Sequence, residues 1–154
     1  MATGTVKFFA QGLLDLGNKL HNIATDDLRL AIVSAATVPA TTTAAPHFGG
    51  TGTTNFGSTE VAHATAYTGP IGLTTKSWSI VAGVPTLRAD IVAIAQDAAG
   101  FTNGAYGIIY NNTDANKRAI GFVELSAGGS LSLVAGQVVI DWSGATNDIF
   151  TITP

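Results

Sequence analysis

The side chains able to do chemistry are few and widely spaced. The histidines are His21, His47 and His63. None stands at a helical or hairpin ligand spacing from another histidine or a carboxylate, so no zinc site is expected. Gly49-Gly50-Thr51-Gly52-Thr53 has the glycine content of a phosphate cradle. Such a loop needs a following Lys-Ser/Thr and a helix to present its N–H groups, and residues 54–60 supply neither. The carboxylates Asp26, Asp27, Asp141 and Asp148 do not form the dense oxygen-ligand loop a hard cation requires, and turn or capping roles explain them. Serine is plentiful, but no G-x-S-x-G elbow occurs. The chain has no cysteine, which removes disulfides, thiol catalysis and cysteine-based metal sites. No metal, no organic cofactor and no enzymatic activity is expected.

Bulk composition narrows the classes further. A chain of 154 residues fits one domain with its own core. Only 11% of residues are charged and 46% are apolar, which suits either a protein surrounded by other protein or a β domain whose surface polarity comes from hydroxyls. The net charge of −3 leaves no basic footprint for nucleic acid. No uninterrupted apolar run approaches the roughly 18 residues of a membrane span. The start, Met1-Ala-Thr-Gly-Thr-Val-Lys, lacks the charged-then-apolar pattern of a signal region, so a secreted precursor is not expected. Asn111-Asn112-Thr113 satisfies a glycosylation pattern that matters only in a secretory pathway.

The elements that would position these groups are short strands. Tyr106, Ile108 and Tyr110 alternate on one face of a strand, Ile120 and Phe122 on one face of the next, and Val138, Ile140 and Trp142 on one face of a later one. Segments 131–133 and 147–152 add further short runs, and residues 111–116 form a polar hairpin loop too long for a two-residue turn. Earlier in the chain, Val6-Lys7-Phe8-Phe9 fits a short strand. Phe9, Leu13, Leu16 and Leu20 have helical spacing, but Gly12 and Gly17 each cost about 1 kcal/mol in a helix, so one or two turns are expected. Leu28, Leu30 and Ile32 alternate as a strand. A short edge strand is expected over 60–67, with further strands at 71–74 and 78–81 and a break at Gly83-Val84-Pro85. Residues 87–98 fit either a helix or a buried strand, and the strand-rich neighbours favour the strand.

These runs predict a mainly β chain: a single-domain antiparallel β-sandwich, jelly-roll-like, with at most a short N-terminal helix. Residues 1–5 read as a flexible arm. Residues 34–59, rich in Ala, Thr, Gly and Pro, read as a long loop, a kind that in compact domains is functional or disordered. The main core is expected over 60–154 together with 28–33. Trp78, Trp142 and the tyrosines are expected to be core or interface anchors.

Spaced residues along most of the chain resemble a family of small virion proteins of tailed bacteriophages and prophages. They are Lys7-Phe8, Leu13-Leu14-Asp15-Leu16-Gly17, His21-Asn22, the run from Thr25 to Val33, Tyr67-Thr68-Gly69, the run from Tyr106 to Thr113, Ala119-Ile120-Gly121-Phe122, Gly136 to Trp142 and Asn147-Asp148-Ile149. The 34–59 loop matches poorly. The resemblance implies a non-enzymatic virion component made in the bacterial host cytoplasm. A capsid decoration (cement) protein on the capsid surface is the preferred reading, with the major capsid protein and copies of itself, as a homotrimer, as partners. On this reading the arm residues Thr3 and Thr5 and the loop residues Pro46, His47, Phe48 and Phe56 make the contacts. A tail or other virion component is the alternative. A receptor- or carbohydrate-binding module, using Phe48, Phe56 and Tyr67 as exposed aromatics, is another.

Overall fold

The run Leu28-Arg-Leu-Ala-Ile-Val lies at the middle of the molecule and is buried on both faces. The computed structural model describes residues 5–142 and 146–152. Its elements, in chain order, are β1 (Lys7–Phe8), α1 (Ala10–Gly17), β2 (Leu28–Val33), β3 (Pro46–His47), β4 (Thr54–Asn55), a 3-10 turn (Phe56–Thr59), β5 (Ile71–Gly72), β6 (Ser77–Val81), β7 (Val84–Arg88), β8 (Val92–Ile94), β9 (Tyr106–Asn111), β10 (Ala119–Glu124), β11 (Val138–Ile140) and β12 (Asp148–Thr151). Among the described residues the chain is mainly β, and the one α-helix is the short N-terminal one.

The principal sheet has the order β1-β10-β9-β2-β5, with every neighbouring pair antiparallel. Strand alternation sends its side chains into two separate cores. Leu28, Leu30 and Ile32 of β2 and Ile109 of β9 enter the larger core. Ala31 and Val33 of β2 and Ile108 and Tyr110 of β9 enter the smaller one, with Tyr106 packed against it. The larger core is completed by the β8–β11 pair and the β12-β7-β6 sheet, which supply Leu87, Val92, Ile94, Val138, Ile140, Ile149 and Phe150. The second layer is thus divided into small sheets, where a sandwich would have one continuous facing sheet. Val138, Ile140 and Trp142 all enter the larger core, as their spacing indicates.

Several local features depart from the sequence expectation. Ile120 and Phe122 do not share a face: Ile120 enters the larger core and Phe122 the smaller. The β9–β10 register shifts between Ala119 and Gly121, because Ala119 pairs with Tyr110 and Gly121 with Ile109. The extra residue is a β-bulge, and it breaks the period-two pattern at one point. Gly83-Val84-Pro85 does not break the strand run. Ala82 (φ 49°) and Gly83 (φ 84°) form a left-handed two-residue turn, and Pro85 continues into β7 opposite Ile80. Segment 60–67 is not a strand beyond the single bridge Val33–Glu60. Leu131 likewise forms only a bridge, to Gly104.

The 34–59 segment is not an open loop. Pro46–His47 and Thr54–Asn55 form a short parallel pair. Ala10 N–H donates to Thr41 O (2.8 Å), and Phe48 N–H donates to Lys117 O (2.9 Å). Phe48 stacks on Tyr110 with centroids 4.7 Å apart, and Phe56 stacks on Phe9 at 5.7 Å. The segment therefore forms the lid of the smaller core. The glycines permit the close approach: a Cβ on Gly50 would lie 2.0 Å from Asn116 O, and one on Gly52 would lie 2.5 Å from Ala45 O. That packing, not phosphate binding, accounts for the glycine run.

Candidate functional site

The proposed contact residues fall in different environments. Thr3 lies outside the described residues. Thr5 is exposed and borders a groove of about 360 Å3 lined by Val6, Phe8, Trp142 and Phe150. Pro46 and His47 are buried in β3, Phe48 is 7% exposed and Phe56 is fully buried. All four are buried, and Phe48 and Phe56 belong to the smaller core, so these aromatics are not offered to a partner. Tyr67 is also fully buried. The three aromatics expected to form a carbohydrate platform are thus all internal. Low charge and high Gly/Thr content made this region look solvent-facing, because composition does not distinguish a flexible tract from one whose glycines fit against backbone.

Tyr67 has a structural task that spacing could not reveal. β5 pairs with β2 only at Arg29 and Leu30, so the β2 edge continues beyond its neighbour. Ile32 N–H donates to the Tyr67 hydroxyl (3.0 Å), which donates to Glu60 Oε1 (3.0 Å), and Val61 N–H donates to Ile32 O (3.0 Å). The 60–67 segment thus satisfies the open backbone groups without forming a strand. Burial, reinforced by the neighbouring Glu60 charge, raises the Tyr67 pKa and keeps the phenol protonated.

A polar array lies behind α1. Asp15 is 2% exposed and His21 6% exposed. Gln11 Nε2 donates to Asp15 Oδ1 (2.8 Å), and Arg118 Nε lies 3.7 Å from Asp15 Oδ2. His21 Nε2 stands 4.0 Å from the same Oδ2. The other ring nitrogen, Nδ1, is 3.1 Å from Asn111 Nδ2, which also donates to Asp26 Oδ2 (2.6 Å). An amide donor at Nδ1 assigns that nitrogen as the acceptor, so the neutral ring carries its proton on Nε2, toward Asp15. Arg118 also donates to Asp114 Oδ1 (2.9 Å). Burial lowers the His21 pKa, outweighing the opposing pull of Asp15, Asp114 and Asp26. The array joins α1, the turn before β2 and the β9–β10 loop. A cleft of about 140 Å3 adjoins it, lined by Gln11, Asp15, Thr51 and Arg118.

The sequence expectation concerned metal-ligand spacing; in the fold two histidines nonetheless each meet a single carboxylate. His21 faces Asp15, and His63 Nε2 lies 3.1 Å from Glu60 Oε1. The Glu60–His63 spacing is visible in the sequence. In a regular strand, residues i and i+3 point to opposite faces, and 60–67 is not a regular strand. Among the described residues no three His, Asp or Glu side chains converge as a metal site, and no helix is long and apolar enough to cross a membrane.

The surface offers a different kind of candidate. The buried residues of α1 are Gly12 and Asp15, while Leu13 and Leu14 are 43% and 56% exposed. Leu20, just beyond the helix, is 42% exposed. The helix turns Gly12 and Asp15 inward and packs Leu16 against the larger core, while Leu13 and Leu14 face outward and so do not join the core as their helical spacing with Leu16 suggests. Exposed apolar surface marks an interaction site where it is contiguous, and Leu13 and Leu14 are adjacent in the helix. No family model, no curated protein and no solved structure matches this chain.

Proposed function

We propose that this protein is a non-enzymatic bacteriophage virion component, a capsid decoration protein that binds the major capsid protein and copies of itself. The virion assignment rests on the sequence resemblance. The observation that supports assembly is that α1 exposes Leu13 and Leu14 in a chain with only 11% charged residues. An apolar outer face with few charges around it loses little on desolvation when another protein covers it. Contacts of this size are individually weak, and repetition over a shell compensates through multivalency. On this reading α1 and the N-terminal arm make the contact, since Phe48 and Phe56 are buried.

Electron cryomicroscopy of purified particles tests the reading. Density for this chain on the shell, at copy numbers comparable to the capsomers, is the expected result. Density along the tail would overturn decoration and leave a tail role, and absence from particles would overturn the virion reading altogether. A Leu13→Asp/Leu14→Asp variant should fold normally, since exposed substitutions change stability by only about 0.5 kcal/mol, yet it should lose shell occupancy. Full occupancy by that variant would remove α1 from the contact.

A further inference from the structure

The β12-β7-β6 sheet ends in an open edge. Within the β6–β7 hairpin, Val81 and Val84 close the two-residue turn and form a bonded pair. Alternation then makes Ser79–Thr86 and Ser77–Arg88 bonded pairs, and Trp78–Leu87 and Ile80–Pro85 non-bonded ones. The position of Pro85 agrees, since proline has no N–H to give to Ile80. Trp78 and Ile80 therefore direct their backbone N–H and C=O groups away from β7, and no described residue hydrogen-bonds them. The strand is largely exposed, and Ile80 is 74% exposed. β6 contains none of the charged residues, prolines or bulges that protect edge strands.

We propose that β6 pairs antiparallel with β6 of a second copy of this chain, about a twofold axis at Ser79. This register is self-complementary. Trp78 faces Ile80 of the second copy and Ile80 faces its Trp78, so the outward groups of each strand meet those of the other. Ser79 faces its own counterpart at a non-bonded position. Trp78 and Ile80 lie on the same face of the sheet, so each exposed isoleucine gains an indole neighbour, a favourable aromatic–β-branched pair. Lys76 falls opposite Ala82 of the second copy, so no like charges meet. Two three-stranded sheets become one six-stranded sheet. The contact is isologous and closes pairs, so it can link higher oligomers as well as single chains. It does not depend on the virion reading.

The test uses the 154-residue chain, which has no cysteine of its own. Sedimentation should show a concentration-dependent species of twice the basal mass. Ile80→Lys, at an already exposed position, should weaken that doubling by roughly tenfold or more while leaving unchanged the melting temperature measured at a dilution where the wild type is not doubled. Ser79→Cys should cross-link across the axis on mild oxidation, because facing non-bonded residues lie about 4.5 Å apart between Cα atoms. Ser77→Cys, which faces Val81 in this register, should cross-link far more slowly. No mass doubling in the wild type, doubling undiminished in Ile80→Lys, or equal cross-linking at positions 77 and 79 would each overturn the proposal. Each of those results leaves the decoration reading standing, which is decided on the particle.

Discussion

Tyr67 and His21 show how single side chains bind distant segments together. The Tyr67 hydroxyl accepts from Ile32 N–H and donates to Glu60 within a fully buried site. Tyr67→Phe keeps the ring and leaves the Ile32 N–H without its acceptor, at a cost of about 1–3 kcal/mol. Urea denaturation of the two proteins measures this, and equal midpoints would refute the role of the hydroxyl. His21 predicts a pH dependence. Its pKa in the folded protein lies below the ordinary histidine value, because burial disfavours the charged ring. The unfolded chain therefore takes up the proton first as pH falls. The stability associated with neutral His21 is complete above about pH 6.5 and declines as pH falls through that value toward the folded pKa, by up to about 1.4 kcal/mol per pH unit. Protonation would also set an N–H at Nδ1 against the Asn111 amide donor. Carboxylates contribute a separate acid loss, so the measurement is the difference from His21→Gln, in which the component beginning near pH 6.5 should vanish.

At the scale of the element, α1 illustrates a residue whose local cost has a tertiary explanation. Glycine in mid-helix is unfavourable, and alanine there ordinarily stabilises by about 1 kcal/mol. At Gly12 the opposite is expected. A Cβ there would lie 2.5 Å from Ile120 O of β10, a backbone atom. Gly12→Ala should force the helix away from the sheet and lower stability by about 1–3 kcal/mol. Gly17, with nothing within 4 Å of its Cβ position, serves as the comparison. Gly17→Ala should not carry that penalty, and equal thermal shifts for the two variants would contradict the close-packing explanation. The 34–59 segment gives a similar lesson. Shortening 40–56 as though it were a free arm would remove Phe48 and Phe56 from the smaller core and unfold the β structure with it.

For the whole molecule, stability depends on both faces of the principal sheet. Phe56 closes the smaller core and Trp142 belongs to the larger one, where its Nε1 donates to Asp90 O (2.9 Å). Phe56→Ala and Trp142→Ala should each cost about 3–5 kcal/mol. The two sites share no cluster, so the losses should add to within about 0.5 kcal/mol in the double variant, provided it still folds. Denaturant titration of the four proteins checks both statements. A negligible loss for Phe56→Ala would mean that the lid contributes little to the fold.

Much of the architecture is legible in local sequence because a strand states its faces through alternation. Tyr106, Ile108 and Tyr110 fall together as their spacing indicates, as do Val138, Ile140 and Trp142, and a polar loop lies between β9 and β10, although Asn111, expected in it, is the last residue of β9. A short helix was readable from the spacing of Phe9, Leu13, Leu16 and Leu20, but those residues do not share one buried face: Leu13 and Leu20 are exposed, and Leu20 lies beyond the helix. Periodicity, however, says which residues share a face and not what covers that face. Composition could not show that 34–59 packs over the sheet, or that α1 buries Asp15 and exposes Leu13 and Leu14. The β10 bulge separates Ile120 from Phe122 because a single unpaired residue reverses the alternation. The Asp15–His21–Asn111–Arg118 array joins positions far apart in the chain, so no spacing rule could find it. Those features were decided by contacts between distant segments, where burial and backbone pairing outweigh local propensity.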